Sequence, residues 1–271
     1  MLPYVTLNST QVFGFKLYLF PVLVATGLLT GFALAIRQGG RHGLSRERIA
    51  LLAIFVIVSG LLGARLGYLL YEPDLLRDIL TRPAFVFSNL RGISSFGGYF
   101  GGLAGGLLFF RLHCSSLEER LRFLDAVGFA LPFGWFLGRV GCALVHDHPG
   151  ILSAGWLTVA YPDGPRYDLG LLEAFFLLFL ASVFAFLNRR ARRPGFYYAL
   201  YFSLYGPFRV FLDQLRVDPP RYFGWSVDQY CGTLAAAVGL VTWFLMARSV
   251  SSPQFNSEIS HGISHNPVAE T

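Results

Sequence analysis

The sequence predicts an all-α integral membrane protein of about seven transmembrane helices with a small outward-facing loop region. Three observations carry this. Hydrophobic residues are 54% of the 271 and charged residues 14%, with 27 Phe, a composition suited to lipid rather than water. Apolar runs of roughly 20 residues, the length that spans a ~30 Å hydrocarbon core, recur between short polar connections. Basic residues alternate between those connections: twelve arginines (37, 41, 46, 48, 111, 120, 122, 189, 190, 192, 193 and 248) against six (77, 82, 91, 166, 216 and 221). The positive-inside rule then puts the N-terminus outside and the C-terminus in the cytoplasm, as an odd number of spans requires.

One membrane domain, residues 1–248, is expected, followed by a polar tail, 249–271, expected to be disordered in the cytoplasm. The first span is read over 13–36, interrupted by Lys16, and no basic residue or small-residue cleavage site precedes it. It reads as an anchor rather than a removable signal peptide. The second, 49–71, carries Gly60, Gly63 and Gly67, which let another helix approach closely, and Arg65, which then faces protein. A mixed polar segment follows from Glu72 to Arg91. The third run, 92–112, holds seven Gly and is either a tightly packed helix or one partly broken beside a cavity. Spans four to seven are placed at 123–145, 169–187, 196–215 and 227–247. The longest outer connection runs from His146 to Asp168, and in it Gly155 to Tyr161 reads as a short strand before a Pro162-Asp163-Gly164 turn.

Charge and cysteine usage narrow the function. The net charge of +6 comes from 21 Arg and a single Lys scattered between apolar runs, so anionic membrane lipids, not nucleic acid, are the expected partners. Cys114, Cys142 and Cys231 are far apart and suggest neither a disulfide framework nor a thiolate metal site. His146, Asp147 and His148 are adjacent ligands lacking a further His or Cys nearby, an incomplete metal shell; no metal or cofactor is expected. Arg65, Arg139 and Arg209, with Glu173 and Asp213, lie in or near apolar runs, where a charge is costly and needs a reason. The carboxylates read as bridges to arginines. Three cations against two carboxylates leave positive charge over, and a planar guanidinium fork suits a phospholipid phosphate.

Several motifs fall in one order: Gly63-Ala64-Arg65-Leu66-Gly67-Tyr68, Ser95-Phe96-Gly97-Gly98, Gly138-Arg139-Val140-Gly141 with Gly150, Pro165-Arg166 followed by Leu171 and Glu173, and Tyr205-Gly206-Pro207-Phe208-Arg209 running on to Asp218. In this the chain resembles the bacterial prolipoprotein diacylglyceryl transferases over most of its membrane part. The resemblance implies a multi-pass protein of the bacterial cytoplasmic (inner) membrane with an outward-facing site. It also implies transfer of diacylglyceryl from phosphatidylglycerol to the lipobox cysteine of a preprolipoprotein, with a thioether formed and glycerol phosphate released, the first step of lipoprotein maturation. By the same resemblance Arg139 and Arg209 stabilise the phosphate, Tyr205 hydrogen-bonds the headgroup or the base, and Tyr18 falls roughly where the family keeps an amino-terminal tyrosine. Arg65, Gly98, Gly138, Gly141, Gly150, Glu173, Asp213 and Arg216 stand in the matched motifs and are expected around the substrates.

The chain departs from the family at three places. Gly97 follows Ser95-Phe96 where the family often has a His proposed as base. Cys142 to His146 replaces a run with two asparagines, and Asp147 stands at that run's acid. The Arg-His-Pro-Ser-Gln-Leu-Tyr-Glu run appears as Arg166-Tyr167-Asp168-Leu169-Gly170-Leu171-Leu172-Glu173. His146 or His148 is therefore expected to supply the base, with Asp147 fixing the loop or orienting an imidazole. The competing reading is a membrane paralogue that binds phospholipid without transferring it, or that transfers to another acceptor.

Overall fold

The computed structural model describes residues 1–12, 15–71, 81 and 94–250. Nearly all of the Glu72 to Arg91 segment, and the tail from 251 onward, lie outside the described residues. Among the described residues there are seven helices: α1 (Leu19–Arg41), α2 (Arg46–Tyr71), α3 (Ser95–His113), α4 (Leu117–Val145), α5 (Leu169–Leu187), α6 (Phe196–Asp213) and α7 (Val227–Val250). Five of them, α1, α2, α4, α5 and α7, are long and apolar enough to cross a membrane. Leu28, Leu29, Leu61, Leu62 and Phe179 are largely bare of protein contact, as side chains facing lipid are. The protein is an all-α integral membrane protein.

Local chemistry sets the helix ends. The first helix starts at Leu19, not at residue 13 where the expected span begins, because β1 (Ser9–Val12) and β2 (Phe15–Tyr18) pair as an antiparallel hairpin ahead of it. Ser94 caps α3 by accepting Gly97 N at 3.2 Å, and Asp168 caps α5 by accepting Leu171 N at 2.9 Å. The fourth helix begins at Leu117, ahead of the expected 123, with Glu118 and Glu119 in its first turn, where the positive end of the helix dipole favours acids.

The chain forms two compact units. Residues Gly43–Arg120 form one, built on α2 and α3. A Cβ at Gly97 would fall 2.2 Å from Gly63 O and one at Gly101 2.2 Å from Ser59 O, so the two backbones touch along a glycine seam. Of the two readings of run 92–112, the tightly packed helix is the one observed.

The other unit holds Met1–His42 and the chain from Leu121, hence α1, nearly all of α4, and α5 to α7. Its helices also meet at glycines, Gly27 with Gly134 and Gly206 with Gly232 and Ala236. Phe129, Leu177, Leu180, Phe184, Tyr197 and Tyr201 form the core. A three-stranded antiparallel sheet in the order β3 (Pro149–Leu152), β5 (Gly164–Asp168), β4 (Thr158–Tyr161) fills the connection between α4 and α5. The turn between β4 and β5 is Pro162-Asp163, and Gly164 (φ 127°) takes a backbone that a side chain would strain. The short strands β6 (Arg221–Tyr222) and β7 (Trp225–Ser226) lead into α7.

Candidate functional site

Three helices bring their polar residues together at one carboxylate. Glu173, in the first turns of α5, is 1% exposed. Its Oε1 accepts Tyr205 Oη at 2.6 Å, Arg139 Nε at 3.0 Å and Trp135 Nε1 at 3.1 Å, and its Oε2 accepts Arg209 Nη1 at 2.9 Å. Helical spacing makes this possible: Trp135 and Arg139 share one face of α4, Tyr205 and Arg209 one face of α6. The Trp135 ring also lies 5.7 Å from the Arg139 guanidinium, and Tyr205 stacks on Tyr201 at 5.1 Å.

A second carboxylate extends the cluster. Asp228, in the first turn of α7, accepts Arg209 Nη2 at 2.9 Å through Oδ1 and Arg216 Nη1 through Oδ2. Three guanidiniums (Arg139, Arg209, Arg216) thus face two carboxylates (Glu173, Asp228), leaving one positive charge, the surplus the sequence suggested but with different members. Asp213 is not among them. Its Oδ2 accepts Ser226 Oγ at 2.5 Å, so it ties the end of α6 to β7, and the charge role expected of it belongs to Asp228. Sequence reading missed Trp135 and Asp228. The available signals were an indole one turn before Arg139 and an acid opening the last apolar run.

From Arg139 the site continues into the loop after α4. Arg139 Nη1 lies 3.9 Å from Cys142 Sγ. After α4 ends at Val145 the chain reverses at His146, whose φ of 53° is left-handed and costs a non-glycine residue roughly 1–2 kcal/mol. Buried contacts hold that turn. The His146 side chain is 7% exposed, its Nδ1 is 2.6 Å from Asp168 Oδ2, and Tyr4 stacks on its ring at 4.4 Å. The same Asp168 oxygen accepts Tyr161 Oη at 2.9 Å. Burial first, then the Asp168 charge, push the Tyr161 phenol far above its ordinary range. The His146 imidazole is therefore oriented by Asp168, while Asp147 Oδ1 lies 3.8 Å from His148 Nδ1.

The reversal folds Asp147 and His148 back toward Cys142. Cys142 Sγ, a carboxylate oxygen of Asp147 and a ring nitrogen of His148 all lie within 4.8 Å of one another. Cys142 is buried, whereas Asp147 and His148 keep 41% and 43% of their side chains exposed. These are metal-ligating residue types, and the set differs from the one weighed in the sequence by having Cys142 in place of His146.

The remaining expected residues are spread more widely. Gly150 sits against Leu215 O and Tyr167 O, where a Cβ would come within 2.7 and 3.0 Å, and it pairs with Arg216 as an isolated bridge. A Cβ on Gly141 would meet the Phe20 ring at 3.1 Å, while one on Gly138 would meet nothing within 4 Å. Tyr18 precedes α1, is 55% exposed and has Lys16 Nζ 5.5 Å from its ring. Arg65 and Gly98 belong to the α2–α3 unit, with Arg65 6.0 Å from the Tyr68 ring. Arg166 holds the sheet, giving Nη1 to Gly150 O at 3.0 Å and its other nitrogens to Asp163. The Arg166 hydrogen bond keeps the Asp163 carboxyl below the usual carboxylate range.

Residues 8–245 match the family described as prolipoprotein diacylglyceryl transferase. Among relatives, the phosphatidylglycerol–prolipoprotein diacylglyceryl transferase of Clostridium tetani is 26% identical over 239 residues, 85% of this chain and 93% of that protein. The protein of that name from Thermotoga petrophila is 26% identical over 254 residues, 89% of this chain and 84% of its own. A second enzyme of that name from Clostridium perfringens is 23% identical over 247 residues, 86% and 92% of the two chains.

Proposed function

Because this chain belongs to the prolipoprotein diacylglyceryl transferase family, we propose that it transfers diacylglyceryl from phosphatidylglycerol to the lipobox cysteine of a preprolipoprotein. The observation that carries this reading is the meeting of Arg139 and Arg209 on one buried carboxylate, with a third guanidinium, Arg216, bound to the second. Glu173 and Asp228 hold the guanidinium planes in fixed orientations. The leftover positive charge suits a phosphate, and donors positioned in advance need no reorganisation as negative charge grows on it.

The acceptor thiol, with an ordinary pKa of about 8.5, must lose its proton before it attacks. The sulfur then bonds to the terminal glyceryl carbon, the carbon–oxygen bond to phosphate breaks, and glycerol phosphate leaves with that electron pair. Of the two histidines proposed for activating the thiol, geometry favours His148. His146 is walled in by Tyr4 and Tyr161 and committed to Asp168, whereas His148 is open and neighbours Cys142, which touches Arg139. His146 then fixes the turn that presents His148. In this reading the protein is a multi-pass enzyme of the bacterial inner membrane, with the loop from His146 to Asp168 outward and the C-terminus in the cytoplasm.

The test incubates membranes containing the protein with phosphatidylglycerol and a lipobox peptide, and looks for glycerol phosphate and the diacylglyceryl thioether. Both products are expected, and both should be lost in Arg209→Ala. Neither product forming while phosphatidylglycerol still binds would establish the non-catalytic lipid-binding reading instead.

A further inference from the structure

We propose that Cys142, Asp147 and His148 hold a divalent cation of the zinc class, and that this cation, with His148 as its ligand rather than as a free base, binds and activates the acceptor thiol. The site itself stands on geometry; its role in activation rests on the transferase reading above. A thiolate, a carboxylate and an imidazole are the sulfur, oxygen and nitrogen donors that zinc accepts, and three protein ligands with an open fourth position are the pattern of a reactive rather than a structural site.

The geometry fits with little adjustment. Bonds of about 2.0–2.3 Å in a tetrahedral shell put ligand atoms roughly 3.3–3.8 Å apart. The three candidate atoms are already within 4.8 Å of one another, and Asp147 and His148 have exposed side chains free to close the difference. Cys142 forms the buried floor, and the exposed pair leaves an entry path from the loop side. His148 Nδ1 lies 3.8 Å from Asp147 Oδ1 and 2.9 Å from Asp147 O, so the imidazole already rests against the residue it would share the cation with. A thiolate and a carboxylate cancel the charge of a divalent cation. The His146 turn supplies the approach: a strained, left-handed residue clamped by Asp168 carries the next two side chains back over the end of α4.

Position gives the site its use. Cys142 Sγ is 3.9 Å from Arg139 Nη1, so a cation here lies beside the guanidinium cluster proposed to take the phosphate. An acceptor thiol displacing water from the fourth position is deprotonated on binding, its proton passing to solvent. The bound thiolate then forms the new sulfur–carbon bond as glycerol phosphate leaves. Metal coordination would thus supply the thiol activation that the family resemblance assigns to a histidine, a residue type this chain lacks at Gly97.

The test titrates the purified full-length protein in detergent with cobalt(II) and reads the thiolate-to-cobalt charge-transfer band. The proposal expects saturation near one equivalent, loss of the band in Cys142→Ser and His148→Ala, and its retention in Cys114→Ala and Cys231→Ala. No band in the wild-type protein, or a band undiminished in Cys142→Ser, overturns the site. Transfer to a lipobox peptide is then measured after chelation and after zinc is restored. Activity lost and regained supports thiol activation, and undiminished activity in chelated protein overturns that role. A cobalt band through Cys142 with no transfer product under any metal loading supports the site and overturns the transferase reading.

Discussion

Glu173 Oε2 accepts Arg209 Nη1 at 2.9 Å from a position almost wholly removed from solvent, so the carboxylate cannot fall back on water, while the Arg209 side chain is 22% exposed. Removing one member of such a pair leaves the other uncompensated and costs about 3–5 kcal/mol. Glu173→Ala should therefore lower the thermal midpoint in detergent sharply. Glu173→Gln keeps the shape, yet leaves Arg139 and Arg209 without their shared counter-charge, and turnover should fall on the order of 100-fold as the phosphate donors lose their fixed aim. Wild-type stability together with wild-type turnover in Glu173→Gln would mean that the carboxylate does not organise the cluster.

Arg209 uses two different nitrogens on two carboxylates, Nη1 on Glu173 and Nη2 on Asp228. A lysine keeps the charge but offers a point donor in place of the fork. Arg209→Lys should thus lose on the order of 100-fold in turnover while the protein still folds. Release of glycerol phosphate, measured across phosphatidylglycerol concentrations, checks it: a drop mainly in kcat is expected if Arg209 acts on growing charge, and a change in KM alone would reduce it to substrate holding.

The three-stranded sheet carries a pH prediction. The Tyr161 phenol is raised above its unfolded value by burial and by Asp168, so its contribution is complete below a pH of about 10 and is lost as pH rises through the folded value. Difference spectra between the wild-type protein and Tyr161→Phe should show no tyrosinate from this residue near pH 10. In Asp168→Asn its titration should move down toward the ordinary phenol range. Ordinary titration of Tyr161 in the wild-type protein would contradict the closed arrangement of Tyr161, Asp168 and His146.

Apolar run lengths made the helices legible, because lipid demands a continuous hydrophobic surface that no other element supplies. The hairpin of Ser9–Val12 with Phe15–Tyr18 was not, since Phe15, Leu17 and Tyr18 read as the start of the first apolar run and Lys16 as a single interruption of it. Arg139, Arg209 and Glu173 were legible as charges in the wrong solvent. Their partners were less so: Asp213 and Asp228 are both acids near a helix end, and only the three-dimensional course of β6 and β7 decides which reaches Arg209. Nor does a linear run reveal that His146 turns left-handed and pairs with the distant Asp168, leaving Asp147 beside His148.

Two glycines, Gly138 inside α4 and Gly150 in β3, should respond oppositely to alanine. At Gly150 the new Cβ would lie 2.7 Å from Leu215 O, a backbone atom with nowhere to go, and the strain would separate β3 from the chain carrying Arg216. Gly150→Ala should cost about 1–3 kcal/mol and weaken the Arg216–Asp228 pair. Gly138 meets nothing within 4 Å and lies inside α4, where alanine is preferred over glycine by about 1 kcal/mol. Gly138→Ala should be at least as stable as the wild-type protein in thermal unfolding. Its turnover then tells what the open space is for. Next to Arg139, a methyl group that leaves the fold intact but depresses transfer marks volume that the phospholipid occupies, and unchanged transfer would remove Gly138 from the substrate-binding set.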